Sequence, residues 1–218
     1  MDITKFAILK KLAGGGGGSS GHEDEIIART ITNYTNNSAT SIGEYAFYYS
    51  ELESVNFSKV TSIGNNAFYH CFKLASADFL VATSIGNYAF FGCTELASIN
   101  FPAATSIGNN AFATCYKLES ASFSAPTSID YAAFYNCSEL ASLILRATTQ
   151  VCTLSNNNAL GITPIASGTG YIYVPAALID SYKTATNWTT YANQFRALES
   201  YTVDGTTTGE LDPTKVNA

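Results

Sequence analysis

The phrase TSIGNYAFFGCTELASINFPAA fills residues 83–104, and close variants of it stand on either side. Its opening tetrapeptide, TSIG or TSID in the last copy, begins at Thr40, Thr61, Thr83, Thr105 and Thr127. The steps are 21, 22, 22 and 22 residues. A unit this short cannot bury an apolar face by itself, so each copy must stack on its neighbour. A residue's nearest partners then lie one period away along the chain.

Read as columns, the copies separate core from surface. Leu52, Leu74, Leu96, Leu118 and Leu140 open a short strand. Val55, Ala77, Ile99, Ala121 and Leu143 follow, then Phe57, Phe79, Phe101, Phe123 and Leu145 two residues on. Alternation along a strand puts these last two columns on one face, pointing inward. Ile42, Ile63, Ile85, Ile107 and Ile129 fill the core from the opposite wall. So do Phe47, Phe68, Phe90, Phe112 and Phe134, with Ala46, Ala67, Ala89, Ala111 and Ala133 beside them. Gly43, Gly64, Gly86 and Gly108 share a column with Asp130, which predicts left-handed backbone there. The first copy is one residue short, and the deletion is expected around Tyr49 and Ser50. The residue before each Leu alternates in sign, as Glu51, Lys73, Glu95, Lys117 and Glu139. Rungs about 4.8 Å apart would turn that alternation into an exposed ladder of ion pairs that fixes register.

Composition restricts function. The formal net charge is −6 and only 13% of residues are charged. Nucleic acid requires clustered Lys and Arg, so it is not an expected partner. Nor is an anionic membrane surface. No segment approaches the ~18 apolar residues of a span, so no membrane insertion is expected.

Five zones follow. Residues 1–13 read as a short amphipathic docking helix, and residues 14–21, GGGGGSSG, as a flexible linker. Residues 22–147 hold the solenoid of about six rungs, with residues 24–39 as its N-terminal cap. Residues 148–203, where the period fails, read as a C-terminal cap. In it, YIYVP (171–175) is a strand, Pro175 opens a helix to about Thr186, and Trp188, Tyr191 and Phe195 are the apolar side of a second short helix. Residues 204–218 read as a tail. The apolar run Phe6–Leu9 is too short for a secretory signal, so export would take another route.

The motif IGxxAFxxCxxLxSIxFP, as in residues 85–102, resembles the BspA-type leucine-rich repeat over roughly residues 26–147. The run YIYVPAALIDSYKTATNWTTYANQF is similar to the closing module that follows such repeats. The resemblance implies an α/β solenoid with parallel strands on its concave face, capped at both ends. It also implies a non-enzymatic role in adhesion or protein binding. The opening MDITKFAILKKLAGGGGG is similar to the starts of phage and prophage tail-associated proteins. That similarity implies a virion or extracellular location, with tail or particle proteins as partners of residues 1–13. The alternative is a bacterial surface or released adhesin that meets host protein.

Chemistry is sparse. Cys71, Cys93, Cys115 and Cys137 recur in line, which suits neither a tetrahedral zinc site nor disulfides, so they read as buried free thiols. Cys152 is left over. His22 and His70 are the two histidines. Neither is placed for a catalytic triad, so no catalytic residues are assigned. The run His22, Glu23, Asp24 and Glu25 reads as a solvated charge run rather than a metal site, and no cofactor is expected. Glu51, Glu95 and Glu139 alternate with lysines, which neutralises them as a glycosidase pair. What remains is surface. One candidate is an aromatic rim of Tyr45, Tyr48, Tyr49, Tyr69, His70, Tyr88 and Phe91, since Tyr offers large contact area at low entropic cost. The other is the outward strand face, including Ser76, Asp78, Ser98 and Asn100, with Ile144 expected to face outward in the last copy. Either would meet a protein or glycan on a bacterial or host surface.

Overall fold

A computed structural model describes residues 31–198, together with the backbone of residues 200–203 and 206–210. The expectations for residues 1–13, for the linker 14–21 and for His22–Glu25 lie outside the described residues.

Each copy contributes two strands joined by turns, and α-helix occurs among the described residues only at Pro164–Ser167 and Ile179–Thr184, in the cap. The short strands Ser41–Ile42, Ser62–Ile63, Ser84–Ile85, Ser106–Ile107, Ser128–Ile129 and Thr153–Leu154 form one six-stranded parallel sheet in chain order. The longer strands form the opposite wall in two groups. Asn33–Thr35, Ser54–Asn56 and Ser76–Asp78 make one three-stranded sheet. Ser98–Phe101, Ser120–Phe123, Ser142–Leu145, Tyr171–Pro175 and Phe195–Leu198 make a five-stranded one. Equivalent residues face each other in register, Ile63 on Ile85 and Phe101 on Phe123.

The core sits between the walls. Phe47, Phe68, Phe90, Phe112 and Phe134 stack with centroid spacings of 4.9–5.4 Å. Phe57, Phe79, Phe101 and Phe123 form a second stack at 5.5–6.2 Å. The stacks interlock edge to face, as at Phe68–Phe79 and Phe90–Phe101. Both arrangements suit the ring quadrupole. All five leucines of the Leu column and all five isoleucines of the Ile column are buried.

The glycine column corrects an expectation. Left-handed residues occur two positions later, at Tyr45, Asn66, Tyr88, Asn110 and Ala132, and again at Tyr49, His70, Gly92, Thr114 and Asn136. There the backbone donates to the next rung, as in Tyr88 N–H to Asn109 O at 2.8 Å and His70 N–H to Phe91 O at 2.7 Å. Positive φ thus adds a third inter-rung ladder. The glycines serve close approach instead. A Cβ on Gly86 would lie 2.7 Å from Asn65 N and Gly64 C, both backbone atoms of the preceding rung. Gly86→Ala is therefore expected to cost about 1–3 kcal/mol, the range of overpacking. Asn66→Gly, at a left-handed position, should leave the urea midpoint unchanged or raised. Equal midpoints for Gly86→Ala and the parent would contradict this account.

Other details refine or correct the sequence expectations, the deletion falling in the expected turn. Ser50 N–H donates to Phe47 O as Cys71 N–H does to Phe68 O, so the deletion falls just after Ser50, in the column of Phe72. The charge ladder forms as discrete exposed pairs, Lys73–Glu51 at 2.7 Å and Lys117–Glu95 at 2.6 Å. Ile144, expected to face outward, is 2% exposed. It pairs in register with Tyr173 of the strand Tyr171–Pro175, so the cap's strand continues over that end of the wall.

The N-terminal end is closed by Tyr34, buried against Phe47 and Phe57. The C-terminal cap extends both walls without the repeat. Thr153–Leu154 adds to the short sheet, and Tyr171–Pro175 and Phe195–Leu198 add to the long one. Pro175 ends its strand as expected, and 3-10 helix Ala176–Leu178 leads into helix Ile179–Thr184. Phe195, expected on a second helix, instead begins a strand. The sheet edge left by Tyr171–Pro175 takes Phe195–Leu198 as its partner, and ladder pairing overrides the helical spacing. Part of the stretch read as a tail is also ordered as strand, with Thr206–Glu210 antiparallel to Ser200–Val203. The Asp204-Gly205 pair between them is a hairpin signal in the sequence.

Candidate functional site

The turns that follow each TSIG segment line up on one flank of the solenoid. In the first three copies they carry aromatic side chains. Tyr48, Tyr69 and Phe91 share a column and stack at 5.2 and 5.0 Å with interplanar angles of 11° and 9°. Tyr45 meets Tyr48 at 69°, and Tyr88 meets Phe91 at 54°. His70 packs among Tyr49, Tyr69, Phe72 and Phe91 with centroids 4.3–5.3 Å away. All seven residues expected at the rim thus belong to one continuous patch. Phe72 is its eighth member, missed because the shortened first copy hides its column. Tyr45 is 54% exposed, Phe72 46%, Tyr48 and Tyr88 39% each and Tyr49 36%.

His70 is the tightest point. Gly92 makes room for it, since a Cβ on Gly92 would collide with the imidazole Nδ1 and Cε1. Nδ1 is buried and has no hydrogen-bond partner. Burial disfavours the imidazolium and lowers the pKa of His70. Burial and neighbouring phenols raise the pKa values of Tyr48 and Tyr69. The patch is therefore uncharged at neutral pH. Of the charged residues beside it in sequence, Glu51 and Lys73 are paired with each other, and Glu44 is exposed next to Tyr45.

Four rim residues occupy left-handed positions: Tyr45, Tyr49, His70 and Tyr88, with φ of 54–57°. Aromatic residues are costly there, whereas Asn and Gly are not. Equivalent turns elsewhere use Asn66, Asn110, Asn136 and Gly92, and also Thr114 and Ala132. The turn itself does not ask for these aromatics.

The second candidate is also on the surface. Ser76, Asp78, Ser98 and Asn100 are exposed along the outward strand face. Asn56 Nδ2 donates to Asp78 Oδ2 at 3.4 Å, and Arg146 reaches Ser122 farther along. Over the repeats this face carries mostly short polar side chains; at the cap its columns continue into Tyr171 and Tyr173, with the Arg196 guanidinium 4.2 Å over the Tyr171 ring.

The cysteines stay inside. Cys71, Cys93, Cys115, Cys137 and Cys152 are buried and free. The repeat thiols donate to phenylalanine carbonyls, as in Cys115 Sγ to Phe90 O at 3.1 Å and Cys137 Sγ to Phe112 O at 3.0 Å. Burial pushes the Cys115 and Cys152 thiols up to about 12. Alkylating reagents at pH 8 should therefore leave Cys115 unmodified until the chain unfolds, as read by intact-mass spectrometry. Modification of Cys115 in the native state within minutes would contradict this. Among the described residues no group of three or more His, Cys, Asp or Glu could hold a metal ion. Nor is any helix among them long and apolar enough to cross a membrane.

Comparison with known proteins agrees with this architecture. Residues 61–161 match the BspA type leucine rich repeat region in six copies. A search of curated proteins found no match. Among solved structures, the pneumococcal vaccine antigen PcpA is similar at a TM-score of 0.59 and 16% identity, over 78% of this chain and 42% of that one. A leucine-rich repeat protein of Bacteroides ovatus is 30% identical over 67% of this chain and 40% of its own, with a TM-score of 0.48. A leucine rich cell surface protein of Faecalibacterium prausnitzii is 23% identical over 55% and 40%, with a TM-score of 0.40. The chain spans about two fifths of the length of each of these relatives. The stacked parallel strands, the matched repeats and the likeness to PcpA make the fold a leucine-rich-repeat solenoid of the BspA type.

Proposed function

We propose that this chain is a non-catalytic binding protein whose aromatic patch contacts a protein or glycan on a bacterial surface. One observation carries the reading: exposed aromatics stand at left-handed positions where other copies use Asn, Gly, Ala or Thr, none of them aromatic. Residues kept against the preference of their own backbone serve something outside the fold. The outward strand face is the weaker candidate, because over the repeats its side chains are mostly small and offer little apolar area.

The same observation supplies the test. The variant Tyr45→Asn/Tyr49→Asn/Tyr88→Asn places in these turns a residue that left-handed positions favour. It should fold at least as stably as the parent and lose capture by bacterial envelope fractions. Retained capture by this variant, or loss on Asn100→Arg alone, would move the site to the strand face.

The finer part of the proposal is location. The similarity of residues 1–18 to tail-associated proteins supports a place on a phage particle, with residues 1–13 as the docking segment. Deleting residues 1–13 should remove the protein from purified particles while leaving envelope capture intact. Recovery of the parent chain on bacterial cells, and not on particles, would instead make it a surface adhesin.

A further inference from the structure

Resting on the reading that the aromatic patch is the binding surface, we propose that its occupant is a neutral oligosaccharide of a few hexopyranose units, laid across the rungs. Three observations bear on the choice between a sugar and a protein.

The first is charge. The patch itself consists of five tyrosines, two phenylalanines and a histidine, with the exposed Glu44 adjoining Tyr45 at its edge. Glu51 and Lys73 neutralise each other at 2.7 Å. A polyanion finds no complementary charge here and a basic peptide only the single carboxylate of Glu44, whereas several complementary charges are what select charged partners.

The second is area. The five exposed rings are 36–54% accessible. At about 200 Å² per aromatic side chain they offer roughly 400 Å². A standard protein interface buries about 800 Å² on each side. The patch is half of that, and it suits a ligand only a few rings long.

The third is shape. Tyr45 and Tyr88 hold the same column two rungs apart, roughly 10 Å along the solenoid axis. Each is tilted against the stacked column of Tyr48, Tyr69 and Phe91, at 69° and 54°. Pyranose C–H faces carry slight positive charge and favour the negative face of an aromatic ring. Phenol hydroxyls can both donate to and accept from sugar hydroxyls. Contacts with Tyr48 and Phe91, at 5.5 and 5.7 Å, restrict the Tyr45 and Tyr88 rings before any ligand arrives, which lowers the entropic cost of ordering them.

The experiment uses the full chain on immobilised mannan, galactan and β-glucan, with polygalacturonate as the charged control. Saturable binding to at least one neutral polysaccharide, weakened about tenfold or more in Tyr45→Asn/Tyr88→Asn, is the expected result. Circular dichroism of the variant confirms that its fold is kept. Binding to none of the neutral polysaccharides, or to polygalacturonate alone, overturns the inference. So does neutral binding that the variant leaves unchanged. A parallel arm separates this from the broader reading. Envelope capture that protease abolishes and periodate spares sinks the glycan while leaving a surface-binding role intact. If envelopes do not retain the parent chain at all, the broader reading fails.

Discussion

Phe90→Ala is expected to lower the unfolding free energy by about 3–5 kcal/mol, a large share of what a domain of this size holds. The reason lies in the number of neighbours it loses. The Phe90 ring is fully buried and stacks on Phe68 at 4.9 Å and on Phe112 at 5.1 Å. It also meets Phe79 and Phe101 edge on, at 5.9 and 6.0 Å. Backbone ladders hold the rungs on both sides, so the cavity cannot close by collapse. Phe90→Leu keeps part of the volume but none of the four ring contacts and should cost less than Phe90→Ala, about 1–3 kcal/mol. Urea unfolding followed by circular dichroism measures both. Equal midpoints for Phe90→Ala and the parent would show that the ring stack is not the core described above.

Trp188→Ala should cost about as much, again ~3–5 kcal/mol, but in a different place. Trp188 is the chain's single tryptophan and is fully buried in the cap. Its ring packs against Tyr182 at 5.5 Å, Phe195 at 5.8 Å and Tyr191 at 6.3 Å. Its Nε1–H donates to Cys152 O at 2.6 Å, while Cys152 N–H donates to the Tyr182 hydroxyl at 2.9 Å. Asn187 Nδ2 donates to Leu154 O at 2.7 Å, on the last short strand. The cap is thus fastened to the solenoid through residues 152–154. Rungs that touch only their neighbours lose stability locally when an end is uncovered. Hydrogen exchange in Trp188→Ala should rise first across residues 142–154 and leave Ser54–Asn56 protected. A uniform rise along the chain would refute this local account. Trp188→Phe isolates the hydrogen bond, since it keeps apolar volume but orphans Cys152 O, at a cost of about 1–3 kcal/mol.

Much of this architecture is legible in the sequence because repetition substitutes for distance. The Phe68, Phe90 and Phe112 column can be written down from spacing alone, and their rings do stack. The buried thiols follow from the same columns. The aromatic rim was likewise visible as residues, although its continuity was not. Phe72 joins Tyr49 and His70 only because the chain folds that turn outward, and the first copy lacks a counterpart to reveal its column.

The period of 22 residues and its apolar columns determined the solenoid and its core, and its alternating charges determined the exposed ion pairs between rungs. Tertiary structure alone decided which turn residues are left-handed, why glycine stands where it does, and how the cap carries both sheets onward. The physical reason is the same in each case. Repeats announce which residues share a column, since identical rungs must stack in register. Backbone hydrogen bonds between rungs, close approach at Gly86 and the burial of Ile144 depend on how far apart two rungs sit and how the chain turns between them. Those distances exist only once the copies are stacked.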